Sequence, residues 1–155
     1  MKKIFAIVLN FVSVILVGIS FGLGALPMSE AYGLEDAPIG NFYETVWCVS
    51  NGHYSVGSIV LFFLLCIGAL IVTITLFMNS KKTTVVNGLS AIVLIAAGVL
   101  MFFIPTLYLA GFGLTAQASN YELASGSISM GVVILVAGVF QVIKTLLVAK
   151  VDNAQ

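Results

Sequence analysis

Few residues in this chain have the chemistry of an acid, base, nucleophile or metal ligand. His53, the only histidine, lies nine residues from Glu44 in a polar stretch, the one place where an acid–base pair could form. A single histidine with no second histidine and no cysteine pair beside it falls short of a metal signature. Cys48 and Cys66 make neither a C-x-x-C redox pair nor a ligand set. Cys48 shares the polar stretch, either buried or as a free thiol able to join two copies. Cys66 sits among Leu64, Leu65 and Ile67, where a thiol acts as a small hydrophobe. The sequence therefore offers no catalytic, cofactor-binding or metal-ligating set, and the chain reads as a non-enzymatic protein.

A second group of polar residues interrupts otherwise apolar runs. Asn10, Asn87 and Gln141 each lie roughly 5–13 Å inside the same edge of those runs, counting ~1.5 Å per residue from the flanking lysines. Three amides at one depth can act as glue that fixes helix register, or can line a polar path for a solute or ion. Lys144 is the only charged residue within a run, and its stem is long enough to snorkel to the membrane interface. No carboxylate stands at mid-depth, where proton-coupled carriers place one.

The elements that must position these groups are set by composition. The 155 residues are 61% hydrophobic and 8% charged, with 6 basic and 6 acidic side chains, so most of the surface must face an apolar solvent. Every basic residue is lysine and the net charge is zero, which argues against a nucleic-acid partner. Four apolar runs, at about 4–26, 56–78, 85–109 and 127–149, are long enough to cross a ~30 Å hydrocarbon core as helices. Pro105 should kink or end the third. The first run has a rival reading as a signal peptide cleaved near Ser29-Glu30-Ala31, but it exceeds the ~7–15 residues of such a segment. Lys2, Lys3, Lys81, Lys82, Lys144 and Lys150 fall on one side of a four-span layout, with Glu30, Glu35, Asp36, Glu44 and Glu122 on the other. The lysine bias places both termini in the cytoplasm and the loops 27–55 and 110–126 outside a plasma membrane.

The first loop is turn-rich to Gly40, and then residues 42–49 are dense in aromatic and β-branched side chains, which predicts a strand. Asn51-Gly52 predicts a hairpin turn, after which His53-Tyr54-Ser55 pairs back. Alternation would put Tyr43, Thr45, Trp47 and Val49 on the face against the bundle top or the membrane interface. Tyr43, Glu44 and Trp47 are the candidate surface for a partner, against the plainer reading of interfacial anchoring. In the second loop, residues 114–121 are a candidate strand beside the first. Gly18 and Gly22 form a G-x-x-x-G, and Ser127, Gly131 and Gly138 line one face of the fourth run. Such small residues serve helix packing, inside the bundle or between copies.

With spans and loops placed, the layout resembles that of claudin-type tetraspan proteins. The resemblance covers four spans, inside termini, a longer first outer loop with strands and a shorter second one. Trp47 and Cys48 are the residues matching that family's first-loop tryptophan and cysteine. The second loop cysteine is absent, so neither the stapled loop nor a junction function is implied. The expected fold is an all-α membrane protein, a four-helix transmembrane bundle with a small β element in the extracellular loops. The expected function is association, with itself or with a membrane complex, in a lipid bilayer and without a cofactor. The alternative is a small transporter or channel component using the amides.

Overall fold

The structure, a computed structural model, describes residues 2–31, 40–47, 49–50, 53–77 and 83–152. Four long helices dominate it: α1 (Lys2–Leu23), α3 (Val56–Phe77), α4 (Thr83–Met101) and α6 (Ser125–Asp152). Between them lie β1 (Ser29–Ala31), α2 (Phe42–Trp47), β2 (Val49–Ser50), β3 (His53–Tyr54), α5 (Ile104–Ala110), a 3-10 turn (Thr115–Asn120) and β4 (Tyr121–Leu123). All of these smaller elements gather at one end of the bundle, here the loop end. The start of α1 and the end of α6 lie at the other, the terminal end.

All four long helices are long and apolar enough to cross a membrane. Their surface says the same. Ile4, Phe11, Val60, Phe63, Leu70, Ile92, Val132 and Val139 face outward, while Asn10, Ser13, Ser58, Thr75, Asn87, Ser90, Gln141 and Lys144 are buried. Water would reverse that arrangement; hydrocarbon stabilises it. These are the helices of a multi-pass membrane protein.

The buried positions recur every three or four residues. On α3 they are Ser58, Leu61, Leu65, Gly68, Val72 and Thr75. On α6, Ser127, Met130, Ile134, Ala137, Gln141 and Lys144 follow the same alternation. A seam averaging 3.5 residues per turn is the pattern of near-parallel, left-handed bundles. Close approach of α4 and α6 needs glycine. A Cβ on Gly98 would stand 2.7 Å from Leu135 Cγ, and one on Gly138 would stand 2.7 Å from Ile95 Cγ1. Gly131 packs likewise on the Phe102 ring. Gly18 and Gly22 do not behave this way. Both are exposed, an added Cβ would meet nothing within 4 Å, and neither contributes to packing inside the bundle. Their phase on α1 is the reason, because Ser13, Val17 and Ser20 occupy the buried stripe.

The third run divides at its loop end. α4 stops at Met101, and α5 starts afresh with Pro105 in its first turn, where a missing N–H costs nothing. At the loop end, β1 pairs antiparallel with β4, and β2 pairs with β3. The loops are thus joined by β1 and β4, whereas residues 115–120 of the expected loop-two strand form the 3-10 turn. Ser127 Oγ donates to the Met28 carbonyl, and the Gly126 amide donates to the Pro27 carbonyl at 3.0 Å. These bonds lock loop one onto the start of α6.

Residues 42–47 are a helix and not the expected strand. Asn41 is the cause. Its Oδ1 accepts the Glu44 amide at 3.0 Å, and the Glu44 carboxylate accepts the Asn41 amide at 3.1 Å. That reciprocal pair is a capping box, which satisfies two N-terminal donors and starts a helix despite β-prone side chains. Gly40 leaves the space that the Glu44 carboxylate fills. The alternation of faces fails with the strand: Phe42, Thr45 and Val46 are buried at helical spacing, and Trp47 turns outward. Beyond the helix, β2 and β3 pair antiparallel, with Val49 opposite Tyr54 and Ser50 opposite His53. Cys48, Asn51, Gly52 and the lysines at 81 and 82 lie outside the described residues.

Candidate functional site

Two places bring candidate residues together. The first is α2 at the loop end. Its buried side carries Phe42, whose ring lies 6.3 Å from that of Phe62 on α3. The Tyr43 hydroxyl donates to the Phe21 carbonyl, one of the carbonyls left free at the end of α1. Burial, with the Cys66 side chain as a second cause, pushes the Tyr43 phenol up, so it stays a donor at neutral pH. Trp47 rests edge-on against Phe62 at 5.8 Å yet remains 61% exposed. Asn41, Tyr43, Glu44 and Trp47 together line an open depression on the surface. The nominated trio thus shares one small patch, with Tyr43 partly committed to holding it in place.

Asn41→Ala should unpin this patch. Loss of an N-cap of this kind costs about 1 kcal/mol of local stability. Trp47 is the only tryptophan, so its emission reads the effect directly. We expect a shifted maximum and faster quenching by acrylamide in the variant.

The second place is a polar node near the terminal end. Asn10 Oδ1 accepts from Gln141 Nε2 at 3.0 Å and from Thr75 Oγ1 at 3.2 Å. Ser90 Oγ donates to Gln141 Oε1 at 3.3 Å, and Lys144 Nζ donates to Thr75 Oγ1 at 3.2 Å. One residue or more from each long helix takes part. Asn10 and Gln141 are bonded directly. Asn87 is fully buried, but its amide oxygen and nitrogen have no hydrogen-bond partner. Its backbone carbonyl does accept Ser90 Oγ, at 2.8 Å.

Lys144 does not snorkel. It is 4% exposed and points into the bundle, because it lies one turn along the buried seam from Gln141. Ser90 stands in the same relation to Asn87, and Ser13 to Asn10. A polar residue three positions from each amide was the signal that would have extended the node from the sequence. Thr75 carries no such signal, since α3 has no amide of its own. Among the described residues, no group of three or more histidine, cysteine, aspartate or glutamate side chains converges as a metal site would.

Fold and polar node together define a class, the all-α multi-pass membrane protein. No family model matches the chain, and no curated protein or solved structure matches it.

Proposed function

We propose that this chain is a non-enzymatic protein of the cytoplasmic membrane that acts by association, with itself or with a larger membrane complex. The contact surface is the exposed side of α2, with Trp47 and Glu44 as its anchors and Tyr43 as its support. The observation that carries this reading is the exposure of Trp47 on a helix fixed by a capping box and by the Tyr43–Phe21 bond. A rigid, half-supported aromatic beside a carboxylate loses little entropy when it is covered, which is what an interface anchor needs. The termini are cytoplasmic in this reading, and α2 faces outward. The likeness to claudin-type tetraspan proteins enters as layout alone.

The second reading, a transporter or channel component, is favoured by the polar node. Buried polar groups deep in a bundle mark solute paths as well as structural glue. A photo-crosslinking amino acid separates the two. Placed at Trp47 in native membranes, benzoylphenylalanine should give a discrete protein band, at twice the chain mass for self-association or higher for a complex. Placed at lipid-facing Phe63 it should give none. Lipid adducts alone at both positions would reduce α2 to a membrane anchor and end the association reading.

A further inference from the structure

Among the described residues, the charge on Lys144 has no partner of opposite sign. No carboxylate pairs with it among the described residues, and Thr75 Oγ1 takes only one of its three donors. The placement of the described acidic residues explains why. Glu30, Glu44 and Glu122 sit on loop-end elements. Asp152 follows Lys144 by eight residues on α6, roughly 12 Å along the axis. A buried cation in a membrane bundle is costly unless an opposite charge and further hydrogen bonds compensate it. The described residues supply some of the hydrogen bonds and none of the charge.

A second observation stands at the same level. Ser90 lies opposite Gln141, and a Cβ on Gly88 would be 4.0 Å from Thr145 Cγ2. That antiparallel register sets Asn87 beside the Lys144 turn of α6. Asn87 is 0% exposed with both amide atoms unpartnered, and Thr84 Oγ1, one turn toward the terminal end, is also buried without a partner. Two free N–H donors of Lys144, the Asn87 amide donors and the Thr84 hydroxyl are donors in search of acceptors. Asn87 Oδ1 is an acceptor in search of a donor. Unsatisfied groups of this kind are rare in buried positions and ask for an occupant.

We propose that Lys144, Asn87 and Thr84 form a binding site for a singly charged oxyanion that also carries a hydroxyl. The anionic oxygens accept from Lys144 and Asn87, one negative charge neutralises the ammonium, and the ligand hydroxyl donates to Asn87 Oδ1. A small hydroxycarboxylate has this chemistry, and so does the phosphodiester headgroup of phosphatidylglycerol. The site lies at the opposite end from α2 and stands independently of the association reading.

The test uses the full chain in phosphatidylcholine nanodiscs, titrated with sodium lactate in one arm. In the other arm phosphatidylglycerol replaces part of the bilayer. Thermal unfolding and native mass spectrometry read binding. A raised midpoint with lactate assigns a soluble ligand, and one with phosphatidylglycerol alone assigns the headgroup. Lys144→Met should weaken whichever ligand binds by about tenfold or more, the effect of losing a hydrogen bond to a charged group. Lys144→Arg, which keeps the charge, should retain most of the binding. Asn87→Leu keeps the lysine and should also lose affinity, while unfolding at a higher temperature than the wild type without ligand. That variant carries the test if Lys144→Met fails to fold. The proposal is overturned if neither probe shifts the wild-type midpoint. It is overturned equally if Asn87→Leu binds as the wild type does, which would mean adventitious binding to the other lysines.

Discussion

Gly138→Val is expected to force α4 and α6 apart and to destabilise the bundle by about 1–3 kcal/mol or more. The single Cβ already lies 2.7 Å from Ile95 Cγ1 and 3.1 Å from the Ile95 amide nitrogen, so part of the clash is with backbone that cannot rotate away. Two further methyl groups make relief by a local rotamer change impossible. Gly98 and Gly131 line the same contact, so movement at Gly138 propagates along the seam. In lipid, close packing of this kind is a main source of helix association, because burial of apolar surface contributes nothing against hydrocarbon. The matched control is Gly18→Leu on α1. Nothing stands within 4 Å of that position, and leucine is the better helix former by a few tenths of a kcal/mol to about 1. Unfolding of both variants in graded SDS should show a large loss for the first and none for the second.

Gln141→Leu and Asn87→Leu are expected to move stability in opposite directions, although both replace a buried amide with a hydrocarbon of similar size. Gln141 bonds Asn10 at 3.0 Å and receives Ser90 at 3.3 Å. Its loss leaves Ser90 with the Asn87 carbonyl and Asn10 with Thr75 alone, at about 0.6–2 kcal/mol per interhelical bond. Asn87 makes no side-chain bond, so leucine removes two unsatisfied atoms and their desolvation penalty of about 1–3 kcal/mol. A stabilising substitution at a buried polar residue is the usual mark of a group kept for a task and not for the fold. If Asn87→Leu were instead to destabilise as much as Gln141→Leu, the amide would have to hold a structural bond.

These contrasts show what the chain discloses about itself and what it withholds. Span number and the restart at Pro105 are readable because hydropathy and a missing N–H act locally. The α2 helix was hidden by a conflict between two local signals, in which β-branched and aromatic side chains pointed one way. The Asn41-to-Glu44 capping box pointed the other and won. Face assignments on residues 42–47 inherited that error, since changing the period from 2 to 3.6 turns Trp47 from inward to outward. Gly18 and Gly22 show a different limit. A G-x-x-x-G gives a smooth stripe, but only the phase of the rest of the helix tells which way the stripe faces. Lys144 was misjudged by treating its length without its phase. Of the polar node, the three amides were visible as interruptions in apolar runs. The bond from Asn10 to Gln141 spans 131 positions and depends on which helices become neighbours, which no local pattern contains.

The central claim is that polar side chains on the four long helices turn inward and hold one another across the bundle. A double-mutant cycle on Asn10 and Gln141 tests it most directly. Asn10→Leu, Gln141→Leu and the double variant would be unfolded in graded SDS alongside the wild type, on the full chain. The structure predicts that the two substitutions are coupled, with an interaction energy of about 0.6–2 kcal/mol. Strict additivity, with a coupling energy indistinguishable from zero, would contradict it.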